Sequence, residues 1–137
     1  AASLESHRSQ SKQVLVAMHF DPALDEAWSK GLRLGIREAG FEPLRVDKKE
    51  HNEKICDLII AEIRRSRFLV ADVTNQRQGV YFEAGFAMGL GLPVIWTCRK
   101  TDEKQCHFDT RQYNHIFWET PEELCTALYN RIRATIV

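Results

Sequence analysis

The stretch Phe68-Leu-Val-Ala-Asp-Val-Thr-Asn-Gln-Arg-Gln-Gly-Val-Tyr-Phe-Glu-Ala-Gly-Phe-Ala-Met-Gly-Leu-Gly-Leu-Pro-Val-Ile-Trp-Thr97 decides the architecture. Phe68 to Val73 is a continuous apolar run broken only by Asp72, and Leu92 to Thr97 is a second such run. Short unbroken apolar runs are the pattern of strands covered on both faces, whereas half-exposed strands alternate. Between the two runs lies a polar loop, Asn75-Gln76-Arg77-Gln78, and then Gly79 opens a helix expected to reach about Leu90. A strand, a helix and a further strand in that order make a right-handed crossover between parallel strands.

The same alternation extends outward on both sides. Residues 13–18, Gln-Val-Leu-Val-Ala-Met, read as a first buried strand. Asp21 and Pro22 then punctuate the chain as a cap and a first-turn proline. Leu24, Ala27, Trp28, Leu32 and Ile36 recur at helical spacing up to Ala39, and Gly40 stops that helix. Phe41 to Val46 reads as a second strand, with Asp47 just past its end. Asn52 can cap a second helix that carries Ile55, Ile59 and Ile63 on one face. Residues 99–112 read as an irregular charged connection, His115 to Trp118 as a short fifth strand, and Thr120 with Glu123 as a capping box for the last helix. Five strands with helices between them predict an α/β, flavodoxin/Rossmann-like doubly wound parallel sheet of order 2-1-3-4-5.

In such sheets ligands bind beyond the carboxyl ends of the strands, where the strand order reverses. That rule gathers Met18, His19 and Phe20 after strand 1, Asp72 and Thr74 after strand 3, and the turn from Gly79 to Glu83 around one cleft. A carboxylate in the first turn of a helix is favoured in its ionised form by the helix dipole, as a nucleophilic carboxylate at neutral pH requires. Free backbone N–H groups at the same helix start can hold a phosphate. Ala84, Gly85, Ala87 and Gly89 would let this helix lie close to the sheet and set Glu83 at the cleft floor. A glutamate at this place can equally do no more than complement the dipole on a solvated face.

The whole chain is consistent with one soluble domain. Its 137 residues can bury a proper core, with 44% apolar and 28% charged residues. Nineteen basic and nineteen acidic side chains give a formal net charge of zero, so nothing global favours a nucleic-acid backbone or an anionic membrane as partner. The cluster Arg64, Arg65 and Arg67 reads as a solvated helix end. The four cysteines, Cys56, Cys98, Cys106 and Cys125, form no CxxC pair and suit reduced thiols in a cytoplasmic protein. Cys98, Cys106 and His107 could approach a metal but lack a fourth ligand, so neither metal nor cofactor is expected. No apolar run approaches the ~20 residues that cross a bilayer. Residues 1–12 are polar and read as a disordered lead-in or as a linker within a longer chain, ahead of an α/β domain over residues 13–137.

The segment after strand 3 resembles the signature of the nucleoside 2-deoxyribosyltransferase family, including its deoxynucleoside-monophosphate N-glycosidase branch. The residues that carry the resemblance are Asp72, Gly79, Glu83, Ala84, Gly85, Phe86 and Ala87, followed by Gly91-Leu-Pro-Val-Ile95. Val14-Leu-Val-Ala-Met-His-Phe20 and the spaced set Asp47, Ile55, Ile59, Ile63 and Ser66 extend it, so that it covers roughly residues 13 to 97. The resemblance implies that Glu83 attacks the anomeric carbon of a sugar and displaces the base, with water or a second base completing the reaction. It implies that Asp72 holds sugar hydroxyls or assists proton transfer to the leaving base, and that Gly79 lines the sugar or phosphate side. It also implies a homodimer or larger homo-oligomer, because many proteins of that family build their site across subunits.

One departure stands out. The family often places a Tyr near the end of the first strand to orient the nucleophile, and this chain has Met18-His19-Phe20 there. Tyr81 lies two residues before Glu83, on a different side of the helix. His19 is a candidate proton donor or phosphate contact, Arg77 a candidate phosphate contact, and Asp47 a candidate ribose reader. Tyr113, Phe117 and Trp118 can stack on a base or fill the core, and Asp109 and Arg111 can form a lid. Three functions compete: cleavage or transfer of an N-glycosidic bond in a nucleoside or nucleotide; hydrolysis of NAD, as in Toll/interleukin-1 receptor-like domains; and a non-catalytic module that binds a nucleotide or a partner within a larger protein.

Overall fold

The computed structural model describes residues 10–46, 57–75, 78–105 and 114–136. Five strands form one parallel sheet: β1 (Gln13–Ala17), β2 (Glu42–Arg45), β3 (Phe68–Asp72), β4 (Val94–Arg99) and β5 (Ile116–Trp118). Their order is β2-β1-β3-β4-β5, the doubly wound order expected of a flavodoxin/Rossmann-like sheet. In register, Val16 faces Arg45 on one side and Val70 on the other, Asp72 faces Thr97, and Arg99 faces Trp118.

Side chains alternate across a strand, and the apolar runs therefore feed two cores. Val14, Val16, Met18, Phe68, Val70, Ile95, Ile116 and Trp118 pack on one face, with Leu24, Leu32, Ile36, Leu124, Leu128 and Ile132 above them. Leu15, Ala17, Leu69, Ala71, Trp96 and Cys98 pack on the other, against Ile59, Ile63, Val80, Ala84 and Ala87. This double burial explains why β1, β3 and β4 read as nearly unbroken apolar runs, whereas β2 at the sheet edge is only partly covered and leaves Glu42 exposed.

The first face is covered by a π-helical segment, Ala27–Leu32, that runs into α1 (Arg33–Glu38), and by α4 (Pro121–Thr135). The expected uniform helix from Leu24 is thus three pieces. A 3-10 turn, Pro22–Leu24, precedes it, capped by Asp21, whose Oδ1 accepts from the Ala23 N–H at 2.9 Å. These helices meet closely because Gly35 has no side chain: a methyl there would come within 2.9 Å of the Cys125 carbonyl oxygen. The other face is covered by α2 (Asp57–Arg65) and α3 (Gln78–Gly89). Ser66, at the end of α2, donates to the Glu62 carbonyl and accepts from the Gln13 side chain, which pins α2 to β1.

Gly40 and Gly91 end α1 and α3 in the same way. Gly40 has φ +95° and donates to the Arg37 carbonyl, while Phe41 donates to that of Ile36. Gly91 has φ +81° and donates to Met88, while Leu92 donates to Ala87. Each pair of bonds satisfies helix-end carbonyls, and the positive φ is the conformation in which glycine costs least. Thr120 caps α4 by accepting from the Glu123 N–H at 3.1 Å. The Glu123 carboxylate reaches back to the Glu119 N–H rather than to that of Thr120, one residue beyond a standard capping box. Among the described residues, no helix is long and apolar enough to cross a membrane.

Candidate functional site

Three strand exits meet at the carboxyl edge of the sheet: Met18-His19-Phe20 after β1, Val73-Thr74-Asn75 after β3, and a 3-10 turn, Lys100–Gln105, after β4. Hydrogen bonds lock the last two together. The Val73 N–H donates to the Thr97 carbonyl, and the Arg99 N–H donates to the Thr74 hydroxyl at 2.9 Å. Thr74 is fully buried, so its hydroxyl serves as a pin between loops.

Asp72 is 1% exposed and receives three donors. Its Oδ1 accepts from the Thr74 N–H at 3.0 Å, and its Oδ2 accepts from the Thr97 hydroxyl at 2.6 Å and from Trp118 Nε1 at 3.0 Å. By strand alternation this carboxylate lies on the α4 side, with Trp118. Glu83 belongs to the opposite side. It is 3% exposed and shares the buried stripe of α3 with Val80, Ala84 and Ala87, the residues that face the second core.

Glu83 is the sixth residue of α3, in its second turn, so about 7.5 Å of helix separates it from Gln78. The dipole argument therefore loses force, because that effect fades beyond the first turn. What distinguishes Glu83 is burial. Ala84 and Ala87 do face the sheet, as expected, but Gly85 and Gly89 do not: a methyl at either would meet open space. They lie on the outward side of α3, close to Phe82 and Met88, which are exposed. Gly79 sits in the first turn of α3, and Tyr81 packs half-buried with its ring 6.1 Å from that of Trp96.

The expected site residues of the first strand exit divide. Met18 is a core residue at 2% exposure, and its Sδ accepts from Arg45 Nη1 at 3.6 Å. The Arg45 guanidinium lies between two rings, 4.2 Å from the centroid of Phe20 and 4.6 Å from that of Trp28. His19 turns the other way, with Nδ1 3.1 Å from the side-chain nitrogen of Asn75. Asn75 is the one non-glycine residue with positive φ among those described, at +69°. Its backbone N–H donates to Asp102 Oδ2 at 3.1 Å.

Asp102 also accepts from Arg99 Nε at 3.2 Å and from the Thr101 hydroxyl at 3.1 Å. Burial by itself would raise the pKa of this carboxyl. The Asn75 N–H, the Thr101 hydroxyl and the charge of Arg99 outweigh it and hold the group below its ordinary value. Arg45, Asn75 and Asp102 escaped the sequence reading. The left-handed Asn75 had a local signal, since Thr-Asn follows a strand directly and Asn tolerates that conformation. The other two act through residues far away in sequence.

Asp47, Arg77, Asp109, Arg111, Tyr113, Cys56, Cys106 and His107 lie outside the described residues. Trp118 fills the core at 5% exposure and spends its N–H on Asp72. Phe117 is more open and stacks on His115 at 5.5 Å between centroids. Among the described residues there is no group of three side chains that could hold a metal. A separate open groove of about 460 Å³ lies at the amino end of β4, lined by Leu92, Pro93, Ile95, Trp96 and Arg131, and contains none of the candidate residues. Comparison with protein-family models, with curated proteins and with solved structures returned no match.

Proposed function

We propose that this chain cleaves or transfers the N-glycosidic bond of a nucleoside or nucleotide, with Glu83 as the nucleophile. One observation carries the reading: a carboxylate 3% exposed on the sheet-facing stripe of the helix that follows β3. That helix follows β3 in the chain, and the strand order reverses between β1 and β3, where sheets of this kind bind their ligands. A glutamate that only completed a solvated helix surface would be exposed, and Glu83 is buried.

In the proposed reaction a Glu83 oxygen forms a bond to the anomeric carbon. The carbon–nitrogen bond breaks, its electron pair leaves with the base, and the base nitrogen takes a proton from solvent. Water or a second base then attacks the same carbon and gives up a proton to solvent, the ester bond breaks, and the Glu83 carboxylate is restored. No cofactor takes part. Asp72, engaged by three donors, supports a positioning role in this scheme: it fixes the floor between β3, β4 and β5. We also infer a homo-oligomer, supported by Phe82, 64% exposed on the outward side of α3.

That full engagement of Asp72 is also what favours a second reading, a module that binds a nucleotide without reacting with it. The test is chromatographic detection of free base. The protein is incubated with deoxynucleosides, their monophosphates and NAD, beside Glu83→Ala. Base release from a deoxynucleoside or its monophosphate, lost in the variant, supports the proposal, and nicotinamide release moves the substrate to NAD. Absence of any base from folded protein favours the binding module.

A further inference from the structure

Among the described α-helices, α3 alone shows no charge on its exposed side. Its outward positions are Gln78, Phe82, Gly85, Met88 and Gly89, and Glu83, the only charged residue of α3, is buried. The exposed positions of α1 include Arg37 and Glu38, those of α2 Asp57, Arg64 and Arg65, and those of α4 Glu122, Glu123 and Arg133. Charged and polar side chains solvate the outward face of a surface helix, whereas a helix apolar on all sides is normally covered. Phe82 is 64% exposed, the most open large apolar side chain among the described residues.

The same face holds both a projection and a recess. Phe82, Gly85 and Gly89 are spaced by three and four, which keeps them on one side of the helix. A methyl built at Gly85 or Gly89 would meet nothing within 4 Å, so the surface beyond Phe82 is low and open. At 1.5 Å per residue, Phe82 and Gly89 lie about 10.5 Å apart along the helix, with their midpoint between Gly85 and Phe86. A two-fold axis through that midpoint, perpendicular to α3, turns each projection onto the other copy's recess. That is the condition of an isologous contact, in which residue i meets j and j meets i. Nothing electrostatic opposes it, because the chain has a formal net charge of zero and the face itself is uncharged.

We propose that two copies of this chain pair through α3, antiparallel about that axis, with Phe82 of each copy seated on Gly89 of the other. This interface gives the homo-oligomer inferred above, on which it rests, a surface and a register. α3 then has one side on the sheet, through Glu83, Ala84 and Ala87, and the other side on the second copy.

The test is a charge exchange read by sedimentation of the full chain. The wild type should sediment at twice the chain mass of 15.8 kDa. Phe82→Glu removes the projection and Gly89→Lys fills the recess, so each variant alone should fall to the mass of one chain. Both positions are exposed in the single chain, and each variant should keep the wild-type circular dichroism. Mixed in equal amounts, the two variants should recover the double mass. One side of the mixed pair then sets the introduced carboxylate against the introduced ammonium, while the other keeps Phe82 on Gly89. That recovery should weaken as salt rises, as an exposed ion pair does. It is peculiar to this register, since a parallel pairing would set position 82 against position 82. A wild type that sediments as one chain overturns the interface together with the homo-oligomer. Variants that stay at the double mass overturn the interface alone, as do monomeric variants that fail to recover on mixing. None of these measurements uses a substrate, so failure of the glycosidase proposal leaves the interface standing.

Discussion

The indole N–H of Trp118 donates to Asp72 Oδ2 at 3.0 Å and so ties the last strand to the central one across β4. The same oxygen accepts from Thr97 on β4, which makes one buried carboxylate the junction of three strands at their carboxyl ends. Trp118→Phe keeps most of the apolar volume but removes the donor. Unfolding by urea should show a loss of about 1–3 kcal/mol, the cost of depriving a buried acceptor of a partner. A loss below a few tenths would mean that the junction holds without the indole.

Asp102 gives a pH dependence with a definite sign. Its folded pKa lies below the ordinary value of 3.8, so its ionised form is favoured by folding. The resulting stability is fully present above that ordinary value and is lost as pH falls through the folded pKa. Urea midpoints for the wild type and Asp102→Asn should therefore differ most near neutrality and converge as the pH drops below about 4. A gap that stays constant down to pH 3 would remove Asp102 from the account.

Two glycines should respond in opposite ways to alanine. At Gly35 the new methyl meets the backbone oxygen of Cys125 at 2.9 Å, and the helices must move apart, at a cost of about 1–3 kcal/mol. At Gly85 the methyl meets nothing, so helix propensity alone acts and stability should rise by about 1 kcal/mol. Base release by Gly85→Ala should match that of the wild type. Thermal melts of the two variants, compared directly, decide this.

The outward face of α3 carries Phe82 at 64% exposure and Met88 at 37%. In the proposed homo-oligomer these side chains are covered, and Phe82→Glu should shift the sedimentation coefficient to that of a 15.8 kDa monomer without unfolding it. A wild type that already sediments as a monomer would contradict the oligomer.

Much of the fold was legible because its signals are local. Val14-Leu-Val-Ala and Phe68-Leu-Val-Ala are unbroken apolar runs, and two-faced burial leaves no other pattern. Gly40 and the Thr120 cap mark helix ends within a few residues. The site was less legible, because its geometry is set across distance. Nothing near Asp72 in the sequence announces Trp118, 46 residues away, and nothing near Arg45 announces that Phe20 and Trp28 will enclose it. With a helix start near Gly79, Glu83 is already the fifth residue, past a first turn of about 3.6 residues, so the first-turn expectation fails on helix geometry alone. Small residues in the motif suggest a close approach to the sheet, but helical phase sends Gly85 and Gly89 to the solvent side.

The most direct test of the central claim is to look for the sugar on Glu83. The protein is mixed with a 2-fluoro-substituted deoxynucleoside or its monophosphate, whose second step is slowed, then quenched, digested and mapped by mass spectrometry. The account predicts a glycosyl ester on the peptide that contains Glu83, and no such ester in Glu83→Gln. Base release that continues in Glu83→Gln, with no adduct on the wild-type peptide, would contradict it.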